Sequence, residues 1–234
     1  MRSLAVLPTF NEAVRIRATL LKFTPGLVDE VVVVNDGSTD DTGAIAASMG
    51  ATVITHKERM GVGEGIKDGI KLAIEKGYDI IVIMAGNGKD DPAEIPNLIK
   101  PIVTENYDYI QGSRFLPGGS YDNNPLFRRI AIRSFSLVWS VIMGIKITDI
   151  TNGFRAYKTA IFANKEINIW QDWLGTYELE YYLHYNVIKH RYKVGEVPVS
   201  KNYPSKTNYT KIKPFLDWWK IIKPLVYLTL GIKK

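Results

Sequence analysis

The sequence predicts an α/β protein with a Rossmann-like, mostly parallel sheet flanked by helices, and three observations carry that prediction. The run Val31-Val32-Val33-Val34 has no period-2 alternation, so both faces of that strand are covered, as when helices pack on each side of a parallel sheet. Strand-like, turn-like and helix-like stretches recur from Leu4 to Ile102 without a long gap, the pattern of βαβ units. A chain of 234 residues that is 46% hydrophobic is long enough for one substantial core and a small extension.

Leu4 to Leu7 reads as the first strand. The turn Pro8-Thr9-Phe10-Asn11-Glu12 follows, with Asn11 as the expected N-cap of a helix that reaches Lys22. The valine strand stops at Asn35-Asp36-Gly37-Ser38-Thr39-Asp40-Asp41-Thr42, where Ser38 and Asp41 have the spacing of a capping box. Ile45 and Met49 lie four apart on the helix beyond it. Thr52 to Thr55 is a third strand, and Gly61-Val62-Gly63-Glu64-Gly65 opens a helix whose Ile66, Ile70 and Ile74 share one face. Ile80 to Met84 is the fourth strand. It ends at Ala85-Gly86-Asn87-Gly88-Lys89-Asp90-Asp91-Pro92, before a helix carrying Ile95, Leu98, Ile99 and Ile102. Ligands of open α/β sheets sit beyond the carboxyl ends of the strands, so Asp36 lies where a ligand would bind.

Several classes are excluded or disfavoured. Without cysteine there is no disulfide and no thiolate metal site, which fits a reducing compartment. The apolar part of Met1 to Pro8 is too short for a signal peptide, and no stretch of ~18 uncharged apolar residues is present. The glycines at 61, 63 and 65 miss the dinucleotide spacing at Ile66, and no P-loop motif occurs. His56, His184 and His190 form no metal-spaced set.

The net charge of +6 is concentrated at one end, because eight lysines lie between Lys201 and Lys234 against a single acid, Asp217. Such a segment suits an anionic partner, with nucleic acid, membrane lipid and a phosphorylated substrate as candidates. No recognition motif accompanies the lysines, so nucleic acid is set aside. From Pro214 onward, Phe215, Trp219, Ile222, Val226 and Leu230 repeat at three or four, beside Lys220 and Lys223. That stripe suits a helix lying in a membrane interface, and equally one packed on the core or on a second copy of the chain. Pro224 is expected to break or kink it near Ile222. The chain therefore divides into residues 1–200 and a basic, aromatic, amphipathic helical extension, 201–234, for membrane-surface or dimer contact.

Four motifs converge on a family. Pro8-Thr9-Phe10-Asn11-Glu12, Asn35 to Thr42, Gly112-Ser113-Arg114-Phe115 and Asn152-Gly153-Phe154-Arg155-Ala156-Tyr157 occur in the order seen in family 2 glycosyltransferases. The chain resembles the dolichyl/polyprenyl-phosphate sugar (mannose/glucose) synthases from about Leu4 to Pro198. The resemblance implies a GT-A fold, a nucleotide-sugar donor and an inverting transfer. By the same resemblance Pro8, Phe10, Glu12 and Asp36 line the nucleotide pocket. On their own, Glu12 and Asp36 also read as helix-capping acids.

The sequence departs from the family at its metal motif. Related synthases carry Asp-x-Asp-x-Gln after the fourth strand, where this chain has Ala85, Asn87 and Lys89. A hard divalent cation (Mg or Mn) wants carboxylate oxygens, and an ammonium is a poor neighbour for it. Three readings stay open at this turn: a metal held in shifted geometry by Asn87 with Asp90 or Asp91, charge supplied to the diphosphate by Lys89 itself, or a pseudoenzyme that only binds nucleotide sugar.

Arg114, Arg128, Arg129, Arg133 and Arg155 all flank the expected site, and guanidinium forks suit phosphate oxygens. In the lipid-phosphate synthases, an arginine of Gly-Ser-Arg and a basic residue on the next helix hold the acceptor phosphate. Arg114 matches the first, and Arg129 or Arg133 the second. A phosphate acceptor is already anionic and needs orientation, whereas a hydroxyl acceptor needs a general base, for which Glu178 and Glu180 are candidates. The expected activity is thus transfer of a hexose from a GDP- or UDP-linked donor to a polyprenyl or dolichyl phosphate with inversion, by a cytoplasmic protein peripheral to the membrane. The alternatives are transfer to a saccharide hydroxyl and noncatalytic nucleotide-sugar binding.

Overall fold

The computed structural model describes residues 1–123, 125–203 and 216–233. Strands β1 (Ser3–Thr9), β2 (Glu30–Asn35), β3 (Thr52–Thr55) and β4 (Ile80–Ile83) alternate with helices α1 (Ala13–Leu20), α2 (Thr42–Ser48) and α3 (Val62–Glu75). The second half contains α4 (Ile95–Thr104), β5 (Tyr109–Ser113), β6 (Ser120–Asp122), α5 (Leu126–Met143), β7 (Arg155–Lys158), α6 (Glu178–Lys189), β8 (Val194–Pro198), β9 (Ser200–Asn202) and α7 (Leu216–Thr229).

Seven strands form one sheet in the order β3-β2-β1-β4-β7-β5-β8, and only β7 runs antiparallel to its neighbours. The predicted parallel sheet is therefore present, with one reversal. Its register decides where the turns meet. Thr9 pairs with Asn35, Val6 with Ile83, and Ile83 with Arg155, so the turns after β1, β2 and β4 and the start of β7 share one edge. A separate parallel pair, β6 with β9, matches Ser120 to Ser200 and Asp122 to Asn202.

Both sheet faces are covered, as the valine run requires. On one face Val32 and Val34 join Ile66 and Ile70 of α3 and Leu179 and Leu183 of α6. On the other, Val33 packs with Ile16 of α1, Ala46 of α2, and Ile95, Leu98 and Ile102 of α4. Ile74, expected on the buried stripe of α3, is exposed. A smaller cluster of Trp139, Ile150, Tyr181 and Leu225 ties α5, α6 and α7 together.

Two expected caps take another form. Asn11 adopts a left-handed backbone, and its side-chain oxygen accepts from the Thr39 N–H, so Glu12 occupies the N-cap position of α1. The Ala13 N–H donates instead to Asp40. The Ser38–Asp41 box does not form either, because the Ser38 hydroxyl accepts from the Asn11 N–H and Asp40 takes the Thr42 N–H. The two turns satisfy each other's amides across the sheet edge, which local capping rules do not anticipate.

Pro224 does not end α7, which runs continuously to Thr229. Lys223 donates to Glu178, the Tyr185 hydroxyl donates to the Leu228 carbonyl, and Leu225 and Leu228 are buried. Trp219, Ile222 and Leu230 of the predicted stripe are exposed, while Phe215 lies outside the described residues. Among the described residues no helix is long and apolar enough to cross a membrane.

The glycines before α3 serve packing. A Cβ on Gly63 would fall inside contact distance of the Leu174 and Thr176 carbonyl oxygens, so the helix start lies directly on the backbone of residues 174–176. Gly63→Ala is expected to lower stability by about 1–3 kcal/mol, seen as a lower urea midpoint at unchanged slope.

Candidate active site

The shared sheet edge opens into a cavity of about 510 Å³. Pro8, Phe10 and Glu12 reach it from the turn after β1, and Asp36 from the turn after β2. Asn87, Lys89 and Asp90 reach it from the turn after β4. Arg114, Arg128, Lys201 and Tyr203 also line it, from the end of β5, the first turn of α5 and the β9 segment.

Asp36 faces this opening and also holds its wall. Its carboxylate accepts from the N–H groups of Met60 (2.7 Å) and Gly61 (3.0 Å) and sits 2.8 Å from Nδ1 of His56. His56 contacts Asp68 at 2.7 Å through Nε2. Burial works against a charge on this imidazole, but the two carboxylates prevail and raise its pKa. Gly37 is required here: its φ is +66°, and a Cβ would strike the backbone of Glu58 and Arg59. That close approach brings the Arg59 guanidinium to 4.4 Å from the Phe10 ring centroid. Glu12 is buried, and its carboxylate accepts from Arg15 at 2.7 Å.

The arginines separate sharply. Arg114, only 2% exposed, donates Nε and Nη2 to the two oxygens of Asp149 (2.6 and 2.7 Å) and Nη1 to the Tyr203 hydroxyl (2.6 Å). Most of its fork is therefore committed within the protein. Arg155 does not line the cavity. Its fork donates to the carbonyls of Asn152, Glu180 and Ile150, fixing the loop before β7 to the start of α6. Arg129 and Arg133 also lie off the cavity lining, with their guanidinium groups 5.4 Å from the Tyr121 ring and 5.0 Å from the Phe115 ring. The α5 arginine that reaches the cavity is Arg128, one helical position earlier than expected.

The turn after β4 does not fit a divalent cation. Ala85 offers no ligand, and the Asn87 side-chain oxygen accepts from the Lys89 N–H. Asp91, expected as a metal ligand, is off the cavity lining: it accepts from the Ala93 N–H and from Lys22, capping a short 3-10 turn. Asp90 gives one oxygen to the Lys201 ammonium at 2.6 Å and keeps the other buried without a hydrogen-bond partner among the described residues. A hard cation needs several oxygen ligands, and no cluster of three ligating side chains occurs among the described residues. Cations stand at the turn instead. Burial, with Lys201 and Arg128 nearby, pushes the Lys89 pKa down to about 8, against weaker support from Glu12 and Asp90.

Of the two candidate bases, Glu180 lines the cavity and Glu178 does not. Glu178 instead accepts from Thr176 and Lys223. Lys201, Tyr203 and Asp149 escaped the sequence reading. Lys201 stood out only as one of many tail lysines, and nothing local marks Asp149 as the partner of Arg114.

Both the sequence and the fold match known proteins. A sequence model of the family described as Glycosyl transferase family 2 matches residues 4–164. An undecaprenyl-phosphate mannosyltransferase from Micrococcus luteus is 34% identical over 164 residues, 68% of this chain and 67% of that one. A UDP-N-acetylglucosamine–dolichyl-phosphate N-acetylglucosaminyltransferase from Methanococcus voltae is 25% identical over 97% of this chain and 95% of its own. The crystal structure of glucosyl-3-phosphoglycerate synthase from Mycobacterium tuberculosis, in complex with Mn2+, UDP and glucosyl-3-phosphoglycerate, superposes with a TM-score of 0.71. It is 18% identical and covers 100% of this chain and 81% of that chain, a likeness of fold that is the GT-A fold.

Asp149→Ala leaves the Arg114 guanidinium buried without its partner and is expected to cost about 3–5 kcal/mol in urea unfolding. Lys89 holds its proton less tightly in the folded chain than in the unfolded one. Between about 8 and the ordinary 10.5 the unfolded state binds more protons, so stability due to this group rises with pH. The wild-type urea midpoint should accordingly climb relative to that of Lys89→Met across this interval.

Proposed function

This chain belongs to glycosyl transferase family 2, and we propose that it moves a hexose from a nucleoside-diphosphate sugar to a polyprenyl phosphate with inversion. The observation that carries the reading is a single cavity lined by Glu12 and Asp36 at the ends of β1 and β2 and by Lys89, Arg128 and Lys201 around the turn after β4. Carboxylates suit the donor groups of a base and ribose, and cations suit phosphate oxygens. The Phe10 ring and Pro8 supply apolar contact for the nucleoside.

In this reaction an oxygen of the acceptor phosphate attacks the anomeric carbon from the face opposite the diphosphate. The carbon–oxygen bond to the diphosphate breaks, and its electron pair leaves on the nucleoside diphosphate. No proton has to be removed, because a phosphate monoester is already anionic at neutral pH. Cations aimed at the leaving diphosphate stabilise the charge that grows there. In this reading Arg128 takes the place expected of Arg129 or Arg133, and Arg114 positions Tyr203 and the loop at Asp149.

The two sequence relatives differ in their named sugar and share a polyprenyl-type phosphate in their names, which favours that acceptor class. A lipid acceptor also makes sense of the surface. Helix α5, whose Arg128 reaches the cavity, leaves Phe127, Ile130, Leu137 and Val141 exposed, a spacing that puts them along one stripe. It carries no acid and three arginines, as suits a helix resting on anionic lipid. Trp219 and Ile222 of α7, and Leu230 just past its end, are exposed as well.

One observation favours transfer to a hydroxyl instead: Glu180 lines the cavity where a base would act. The two readings part in one assay, in which labelled GDP- and UDP-sugars are incubated with polyprenyl phosphate and the product is extracted into organic solvent. We expect label in the organic phase, an inverted anomeric configuration by NMR, and only a modest effect of Glu180→Gln. Loss of a true general base costs roughly 10²–10⁴-fold, and a drop of that size would favour the hydroxyl acceptor.

A further inference from the structure

We propose that Lys89, Arg128 and Lys201 together replace the divalent cation, so that this chain binds the donor diphosphate, and releases it as leaving group, without metal. The inference rests on the donor reading of the cavity and concerns which charges meet the diphosphate there.

The three cations come from separate elements and are built into one cluster. Lys89 stands on the turn after β4, Arg128 on the first turn of α5, and Lys201 on β9. The Asn202 N–H donates to the Lys89 carbonyl at 2.9 Å, tying β9 directly to that turn. Lys201 donates to Asp90 (2.6 Å) and to the Asn152 side-chain oxygen (3.0 Å), which fixes its ammonium beside the turn. Tyr203 completes the arrangement, with Lys89 at 5.6 Å and Arg128 at 5.4 Å from its ring centroid. An aromatic face attracts cations at such distances. Its hydroxyl accepts from Arg114 at 2.6 Å, so the buried Arg114–Asp149 pair orients the ring that both cations approach.

The chemistry matches the task. A divalent ion at this place would contribute two positive charges beside the diphosphate, and Lys89 with Arg128 carries two, with Lys201 adjacent. The two carboxylates and the amide of the family's motif are replaced in sequence by Ala85, Asn87 and Lys89, and of the two carboxylates left at the turn, Asp91 is off the cavity lining while Asp90 is engaged by Lys201. The cluster also repels itself, which is part of why Lys89 holds its proton weakly. An incoming diphosphate relieves that repulsion, so the energy of assembling like charges is returned on binding.

Isothermal titration of GDP and UDP into the chain tests this, first in EDTA and then with added manganese. We expect one of the two to bind in EDTA, with manganese shifting Kd by less than about threefold. Lys89→Met and Arg128→Met should each weaken diphosphate binding by roughly tenfold, equivalent to 1.4 kcal/mol, while Lys89→Arg retains it. Thermal melts without ligand identify a variant that has lost its fold, and the remaining variant then decides. Binding that requires manganese, or tight binding by both folded methionine variants in EDTA, overturns the metal-free inference and leaves the donor reading standing. If neither nucleotide binds under any of these conditions, the donor reading fails and this inference falls with it.

Discussion

The buried pair of Arg114 and Asp149 is the constraint on which the site depends. Two parallel charge-assisted hydrogen bonds at 2.6 and 2.7 Å join the end of β5 to the loop before β7. The same guanidinium reaches Tyr203 and Thr151, and the Ile150 N–H donates to Ser136 of α5. The ion pair thus ties the end of β5 to the loop before β7 and to Tyr203, and the neighbouring Ile150 bond joins that loop to α5. Ion pairs shut away from water gain little net stability but make their geometry costly to disturb. That property suits a cavity wall more than a catalytic group, and explains why an arginine in a motif associated with phosphate is turned inward here.

Around this anchor the sheet brings three turns to one edge. The turn after β1 and the turn after β2 exchange hydrogen bonds through Asn11, Thr39, Ser38 and Asp40, so each stabilises the other in place of its own helix cap. Asp36 then reaches across to the amides of Met60 and Gly61, and His56 links it to Asp68. The side of the cavity lined by Glu12 and Asp36 is therefore held by a polar network. Networks of this kind have few alternative arrangements, because each unpaired buried group would be penalised.

The opposite side is built from like charges. Its cations are held close by side chains that belong to other parts of the fold: Asp90 and Asn152 on Lys201, and Tyr203 beside Lys89 and Arg128. Such a site stores electrostatic repulsion that a polyanion releases. The exposed apolar stripe of α5, whose Arg128 lines the cavity, adds a second asymmetry, and under the proposed function it is the surface that a lipid-borne phosphate would meet.

The α/β class, the doubly covered valine strand, the succession of strands and turns and the family motifs were all readable from local pattern, because periodicity and turn chemistry act over a few residues. So was the arrival of Asp36 and Lys89 at one sheet edge, which follows from strands of common direction. The roles of individual charges were not. Arg155 and Arg114 share the outward look of phosphate-binding arginines, yet their partners are carbonyls and a carboxylate contributed by other segments. Lys201 meets Asp90 across 111 positions of sequence, and Asp149 meets Arg114 across 35. Contacts of that range arise from strand pairing and core packing. Whether a cation faces the cavity or is spent inside the protein was therefore settled by folding, beyond the reach of any local signal.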